Sequence, residues 1–572
     1  MAERTVKSQF APDRDNLPSP EDLGVTLAPD ALELAHDSEK LAEAYGPANF
    51  KAVVQNKVAF LSAICSCVGG LLFGFDQGLV SIILVMPHFL KQFPEVDEAV
   101  TSSASLNKGI MTGLLELGAF MGALMAGYVA DRYSRKASIG FGITWFAIGS
   151  TLQTASFGLP QLIVGRFIGG VGIGVLSTTS PMYISEVAPP NIRGGLLAMG
   201  ELSIVIGIVV MFYITYATRH IVSEWSFRLP FLLQMVPALP LAIALFFLPY
   251  SPRWLASKGR DKECLQTLCR LRNLPDTDAR VQAEWLTIRA EACRNRETLV
   301  QTHPTLISSP LKLEVASWID MFRPAVIRRT MIGIVLMIGQ QFSGINALIY
   351  YSPTLFQQLG LDSELQLTFS GVMNVAQLVA VIFPCFFLDR IGRKPPLVLG
   401  GIAMALCHFV VGGLTARYAS DWPAHPAAAW TAAGFIIGFM LPFGLSWGPV
   451  PWALPSEIFP SSRRAKGLAI TTCTNWFFNF IIGVITPPLI SGTGYGTFLF
   501  FGIWSTLAGL WAFFFVPETR GVTLEQMDKV FGSHTAHDDL IAKDDILNRL
   551  TGTTLSVGSV EQKYDSEWVE KV

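Results

Sequence analysis

The sequence predicts an all-α membrane protein, with twelve transmembrane helices in two six-helix bundles. Three observations carry this expectation. Of the 572 residues, 51% are hydrophobic and only 15% charged, against roughly 25% charged in a soluble globular protein. The apolar residues arrive in repeated blocks of about 20, the length that crosses a bilayer as a helix. The blocks also fall into two sets separated by one long charged segment.

In chain order, a polar region at 1-57 precedes spans expected near 58-86, 108-130, 138-157, 160-181, 198-218 and 229-248, which form the first bundle (58-248). A central loop with short helices (249-328) follows. The second bundle (329-516) holds spans near 329-352, 367-388, 395-415, 431-455, 467-490 and 496-516, and a tail covers 517-572. The polar opening runs straight into the first block without a cleavage-site pattern, so that block is the expected insertion signal. The N-terminal region and the tail beyond about Phe531 read as disordered or peripheral. Glycines such as Gly118 and Gly122, and the run from Gly169 to Gly174, suit close helix packing.

Basic residues in short loops stay on the cytoplasmic side. Arg132, Arg135 and Lys136 follow the second span, Arg193 the fourth, Arg390, Arg393 and Lys394 the eighth, and Arg463, Arg464 and Lys466 the tenth. All lie on one side, so both termini are expected in the cytoplasm. A formal net charge of -2 leaves no basic excess for nucleic acid. Of the cysteines, Cys65, Cys67, Cys385, Cys407 and Cys473 sit in apolar blocks and Cys264, Cys269 and Cys293 in the charged loop, without disulfide or zinc spacing. No metal cluster or nucleophile-base spacing is visible and His408 stands alone in a span, which argues against an enzyme.

The two halves repeat each other. Asp131-Arg132-Tyr-Ser-Arg135-Lys136 after the second span is answered by Asp389-Arg390-Ile-Gly392-Arg393-Lys394 after the eighth. Glu186, with Arg193 seven residues on, is answered by Glu457 with Arg464 seven residues on. Duplicated six-helix halves describe a transporter better than a receptor or membrane enzyme.

An ionisable group at bilayer depth is costly and faces a partner or a water-filled path. Asp76 in the first span, Glu116 in the second, Arg166 in the fourth and Glu201 in the fifth are such groups. Desolvation favours a neutral acid and a neighbouring guanidinium favours the anion, so a change in the Asp76-Arg166 separation would bind and release a proton. A static ion pair stapling the two helices is the other reading. Glu116 and Glu201 each remain open between a helix-packing role and a place on a polar path.

In order along the chain stand GGLLFGFDQG (69-78), GRFIGGVGIG (165-174), PMYISEVAPPNIRG (181-194), QQFSGINALIYYSP (340-353), SWGPVPW (446-452), SEIFP (456-460) and PETRG (517-521). With these motifs the chain resembles the sugar porter family of the major facilitator superfamily, most like its fungal proton-linked monosaccharide transporters. Three departures stand out: Ser134 where the family has Gly, Tyr250 where it has Glu, and Glu201 where it often has Gln.

The resemblance implies the major facilitator fold and a sugar site between the halves. A neutral sugar calls for amides, which donate and accept at once, and for flat aromatic faces. The implied set is Gln340, Gln341, Asn346, Asn374 and Asn475, with Trp452, Trp476, Phe73 and Glu201. Asn479 reads as a helix-helix bond, and Trp447 as packing or an interface anchor. Tyr350 and Tyr351 stand either as an outer gate or as part of an aromatic belt. Asp131, Arg132, Glu186, Arg193, Asp389, Arg393, Glu457 and Arg464 are expected to bridge the two halves when the inner mouth is shut, since a topology signal alone does not require their acids.

The expectation is therefore proton-coupled import of a monosaccharide, with a hexose taken from the resemblance, by a monomer in the plasma membrane. The proton is the coupling ion and no cofactor is required. The rivals are a facilitative uniporter and a non-transporting sugar sensor.

Overall fold

A computed structural model describes residues 18–46, 56–306, 308–384, 388, 391–460, 462–520, 527, 530–532 and 535–552. The first bundle comprises α1 (Lys57–Ile83), α2 (Ala104–Arg132), α3 (Arg135–Thr154), α4 (Leu159–Val187), α5 (Arg193–Thr218) and α6, which is broken into Trp225–Leu233 and Ala238–Phe247. The second comprises α7a (Pro324–Phe342) and α7b (Ile345–Gln358), α8 (Ser363–Ile382), α9 (Lys394–Tyr418), α10 (Pro426–Gly438, continuing through a π turn at Phe443–Trp447 to Val450–Ile458), α11 (Arg464–Thr493) and α12 (Tyr495–Phe515). Eleven of these spans are long and apolar enough to cross a membrane. α3 is the twelfth. It carries Arg135, Lys136 and several hydroxyl residues, and shelters Ser138, Ser150 and Gln153 inside the bundle.

Three spans anticipated as continuous are interrupted, each for a local reason. In α6, Pro237 has no N–H to bond Leu233 and its ring crowds that carbonyl. α7 breaks at Gly344, whose φ of 89° suits only glycine without strain. α10 loosens into a π turn before Gly448 and Pro449.

Glycines bring helix backbones together where lipid offers no hydrophobic drive. A Cβ at Gly118 or Gly122 of α2 would strike the Phe167 or Val171 carbonyl of α4, and one at Gly170 or Gly174 of α4 would strike Leu115 or Ala119 of α2. Between the halves, Gly109 and Gly113 of α2 lie against Val484 and Phe480 of α11, and Gly371 of α8 lies against Phe212 and Tyr213 of α5. These contacts, with an Arg219–Glu364 ion pair of 2.6 Å, shut the face opposite the basic loops.

At the basic face the central segment folds into helices Pro252–Ser257, Asp261–Arg272, Ala279–Thr302 and Pro310–Asp320. The third is longer than the short helices anticipated. The N-terminal helices Ala31–His36 and Ser38–Ala44 and the tail helix Thr535–Thr551 dock on it. Ala35, Leu41, Trp285, Leu286, Leu547 and Leu550 share one buried apolar cluster there. Of the two expectations for the terminal regions, their described parts are peripheral and packed rather than disordered, because their short apolar stripes meet that of Ala279–Thr302.

Arg272 fastens this unit to the first bundle. Its guanidinium donates to Glu284 at 2.6 and 2.9 Å, to the Val187 carbonyl at 2.7 Å and to that of Ala188 at 3.2 Å, closing the end of α4. Burial pushes the Glu284 carboxyl up, but the charge and hydrogen bonds of Arg272, with Arg193 nearby, hold it below the usual glutamate range. A depressed folded value stabilises the fold above the ordinary glutamate pKa of about 4.3, and the benefit is lost as pH falls through the folded value. Arg272→Met is expected to lower stability by about 3–5 kcal/mol at neutral pH, because it strands a buried carboxylate. Thermal unfolding of the detergent-solubilised protein checks it, and the gap from the parent should narrow below about pH 4.

Candidate coupling and substrate site

Asp76 and Arg166 meet inside the first bundle. Arg166 Nη1 and Nη2 lie 3.4 Å from Asp76 Oδ1 and Oδ2, and each side chain is 1% exposed. Arg166 Nε donates to the Met111 carbonyl of α2 at 2.7 Å, so the arginine joins α1, α2 and α4. The pairing is two-pronged but long, and both oxygens of Asp76 face the guanidinium.

Next to Asp76, Gln77 carries the polar chain into the other half. Its Nε2 donates to Asn346 Oδ1 at 3.3 Å and to Tyr350 Oη at 3.1 Å. Asn346 Nδ2 donates to Gln341 Oε1 at 2.7 Å. Asn475 Nδ2 donates to Gln340 Oε1 at 2.7 Å, and Gln340 Nε2 donates to the Trp447 and Gly448 carbonyls at 2.7 and 3.1 Å. The adjacent Gln340 and Gln341 thus diverge: one holds the loosened turn of α10, the other keeps an amide nitrogen that donates to no described residue.

Other unused capacity converges from both halves. Asn374 Oδ1 is buried on α8 without a partner, and Gln377 Oε1, one turn on, is in the same condition. Trp476 is fully buried, its ring 4.7 Å from that of Phe73 and its Nε1 3.2 Å from Ser177 Oγ. Trp452 and Glu201 are half-buried and have no hydrogen bond among the described residues. Glu201 precedes Phe212 by about three turns on one face of α5, and Phe212 rests on Gly371 of α8, so Glu201 looks toward the second half.

Toward the opposite face Tyr350 Oη donates to Glu116 Oε1 at 2.6 Å, and Asn479 Nδ2 donates to Glu116 Oε2 at 3.0 Å. Tyr351 Oη donates to the Gly483 carbonyl at 2.7 Å. Both tyrosines are buried rather than interface-belt residues, Tyr350 in contact with the other half and Tyr351 bonded within its own. Asn479 bonds another helix, as its isolated position suggested. His408 packs, its Nε2 2.9 Å from the Ser343 carbonyl and its ring against Phe439, while Trp447 packs with its Nε1 on the Leu397 carbonyl at 2.8 Å.

The duplicated basic loops form two local networks. Arg135 donates to Glu186 at 2.8 and 2.9 Å, to Asp131 at 2.8 Å and to the Ala130 carbonyl at 3.0 Å. Arg393 donates to Glu457 at 2.7 Å and to the Leu388 carbonyl at 3.1 Å. Among the described residues these contacts lie inside each half, because the loop after the second helix of each half lies beside the acidic end of the fourth. Arg193 sits instead among Arg253, Arg272, Glu284 and Glu291, and burial among those arginines pulls it down to about 10. Arg132 is exposed, Arg464 opens α11, and Asp389 and Arg390 lie outside the described residues. Links toward the second half come from the central and tail helices: Lys466 pairs with Glu314, Arg463 Nη1 donates to the Asp320 carbonyl at 3.2 Å, and Ser462 N donates to Asp539 at 3.1 Å.

The departures at Ser134 and Tyr250 belong together. Glu518 accepts from the backbone N–H of Arg393, Lys394, Thr519 and Arg520. Burial pushes its carboxyl up, but those four donors hold it below the usual range. A Cβ on Gly392, at φ +95°, would collide with that carboxylate. The first half has Tyr250 where the acid would be, with Lys136 Nζ 4.9 Å over its ring and Trp254 stacked on it. Space is thereby left for Ser134, whose backbone is extended and whose Oγ caps Ala137 N at 3.0 Å. Sequence reasoning gave no role to Gln77, Glu518 or Gln377 and read Arg135 only as a topology signal in the repeated loop; position beside Asp76 was the available signal for Gln77.

Residues 62–531 match the family described as Sugar (and other) transporter. The chain is 32% identical to a protein named high-affinity glucose transporter from Kluyveromyces lactis over 487 residues, covering 82% of this chain and 85% of that one. It is 34% identical to the high glucose sensor RGT2 of Saccharomyces cerevisiae over 488 residues, 83% of this chain and 61% of that protein. The solved structure of the proton:xylose symporter XylE with a bromodeoxyglucose superposes with a TM-score of 0.66 at 27% identity, covering 83% of this chain and 99% of that one.

The divergence of the paired glutamines makes a testable distinction. Gln340→Ala removes the partners of two backbone carbonyls and of Asn475, and is expected to cost about 2–4 kcal/mol. Gln341→Ala should cost about 1 kcal/mol while raising the half-saturating substrate concentration roughly tenfold or more, the scale of one lost polar contact in a binding site. Thermal unfolding and initial uptake rates, measured on both variants, separate the two roles.

Proposed function

The chain belongs to the sugar transporter family, and from that premise we propose that it carries a hexose into the cell together with a proton by alternating access. The observation that carries this reading is the buried Asp76–Arg166 pair set beside Gln77, which hydrogen-bonds directly to the amide set of α7. An acid so placed has its charge balanced by one guanidinium, and the balance changes whenever α1 and α4 shift relative to each other. Movement of α7b on sugar binding would reach the pair through Asn346 and Gln77.

Phe73 and Trp476 supply flat apolar walls and Gln341, Asn346, Asn374, Asn475, Trp452 and Glu201 the directional contacts, a mixture that suits a neutral ring rimmed with hydroxyls. The named activities of the K. lactis transporter and of XylE, glucose and proton-linked xylose transport, favour a monosaccharide and a proton. The basic face is assigned to the cytoplasm by its arginines and lysines, together with both termini, and the membrane to the plasma membrane. Tyr350 and Tyr351 then form the outer gate, shut in this conformation, and the Arg135 and Arg393 networks hold the inner ends of each bundle. The protein works as a monomer, each copy holding a complete site between its own halves.

The likeness to a glucose sensor favours one other reading, sugar recognition coupled to signalling instead of import. Uptake of labelled hexose into a transport-deficient host decides between them. Accumulation above the external concentration that collapses with an uncoupler is expected, and signalling without accumulation would displace transport. In reconstituted vesicles with an inward proton gradient, Asp76→Asn should abolish accumulation while leaving sugar exchange across the membrane. Normal accumulation by that variant would make the protein a uniporter.

A further inference from the structure

Glu201 enters the sugar site above only as one polar contact among several, yet its charge is answered by no side chain among the described residues. On α5 it stands about 120–180° around the helix axis from Ile206, Val210 and Tyr213, the exposed lipid-facing side chains, so it points into the bundle. It is nonetheless half-exposed, which sets its carboxylate against the open cleft. No hydrogen bond or ion pair reaches it among the described residues.

Contacts fix the depth of this acid. Gln340 bonds Asn475 at 2.7 Å and the Gly448 carbonyl at 3.1 Å, and the Phe73 ring lies 4.7 Å from that of Trp476, the neighbour of Asn475. These residues share one level. One turn nearer the basic face, Gly70 of α1 abuts the Gly200 carbonyl of α5, and Trp452 follows Gly448 by one turn of α10. Glu201 in one half and Trp452 in the other therefore stand at the same level, both half-buried and neither hydrogen-bonded to a described residue. The cations buried within the described spans are committed elsewhere: Arg166 to Asp76, His408 to the Ser343 carbonyl, Arg329 to the Ile458 carbonyl and Arg228 to Glu224.

We propose that Glu201 and Trp452 form an ammonium site on the sugar path, so that the cleft takes a protonated amino sugar in preference to the neutral hexose and turns away a sugar acid. The proposal deepens the reading of the cleft as a sugar site and rests on it. A monoamino hexose keeps the ring and the remaining hydroxyls, which the aromatic walls and amides receive, and exchanges one hydroxyl for a cation. That cation fits the carboxylate by charge and the indole by its electron-rich face. Its arrival also favours the anionic form of Glu201. Glutamine in this place would offer a hydroxyl both an acceptor and a donor, so charge is what glutamate alone adds. A sugar carboxylate would meet like charge and find no cation in return.

Equilibrium binding to the full-length, detergent-solubilised protein at about pH 7, where an amine is largely an ammonium, tests the site. The probes are D-glucose, D-glucosamine, its positional isomers with the amine elsewhere on the ring, and D-glucuronate. At least one amino sugar should bind about tenfold or more tighter than glucose, and glucuronate about tenfold or more weaker, the scale of one charge-assisted contact. In Glu201→Gln the ratio of the glucose to the amino-sugar dissociation constant should fall about tenfold, whatever happens to either constant alone. In Trp452→Leu it should fall about threefold. A parent that binds every amino sugar no tighter than glucose overturns the ammonium site, as does a ratio that Glu201→Gln leaves unchanged. Should Glu201→Gln not fold, an unchanged ratio in Trp452→Leu overturns it. The two readings fail separately: amino-sugar binding without glucose binding keeps the site and discards the hexose, whereas glucose binding without preference does the reverse.

Discussion

The constraint from which the rest of this architecture follows is that a charge inside an apolar bundle must be met by protein, since lipid offers it nothing. Asp76 and Arg166 meet each other, and Glu116 meets two neutral donors. The first pair is internal to one half, so it is altered by a shift of α1 against α4 and not by separation of the halves as such. The second is shared between halves and does not survive their separation. One bundle thus contains two acids of the same burial whose fates on opening differ, and the difference lies entirely in which half holds the partner.

The same distinction organises the basic face. Arg135 and Arg393 occupy equivalent places and bond equivalent partners: the carbonyl five residues back and the acid at the end of the fourth helix of their half. Duplication of the sequence has become duplication of a local fastening. The fastening is asymmetric only where Glu518 stands in one half and Tyr250 in the other. Gly392 is demanded by the first and Ser134 permitted by the second. A glycine lost from a motif reads as damage until its missing acidic neighbour is considered with it.

Span number, the two-bundle layout and the buried acids were readable in the sequence because hydropathy and burial cost act at the scale of single helices. The Asp76–Arg166 pair was readable too, from two charges at matching depth. Partner choice across the cleft was not. Nothing local to Glu116 names Tyr350, more than two hundred positions away, and nothing in Glu186 shows that Arg135 rather than Arg193 lies against it. Those choices depend on helix rotation, set by the glycine ridges between α2, α4 and α11. The terminal regions misled for a related reason. Their composition cannot pay for a core alone, and the stripe of Ala279–Thr302 that completes it lies hundreds of residues away.

Helix breaks tie the polar set to movement. α7 is interrupted at Gly344, between Gln341 and Asn346, and α10 at Gly448 and Pro449, between Trp447 and Trp452. Each break therefore divides residues of the proposed sugar set, or their neighbours, between two rigid pieces. A break in a membrane helix frees backbone carbonyls that must be satisfied by protein, and those of Trp447 and Gly448 are taken by Gln340. Gln340 is thereby fixed to α10 while Asn346, beyond the break, is fixed to α1 through Gln77. A rotation of α7b about Gly344 moves Asn346, Tyr350 and Tyr351 together and leaves Gln340 in place. Sugar contact and outer closure are then two consequences of one hinge, which requires no signal to travel between separate sites.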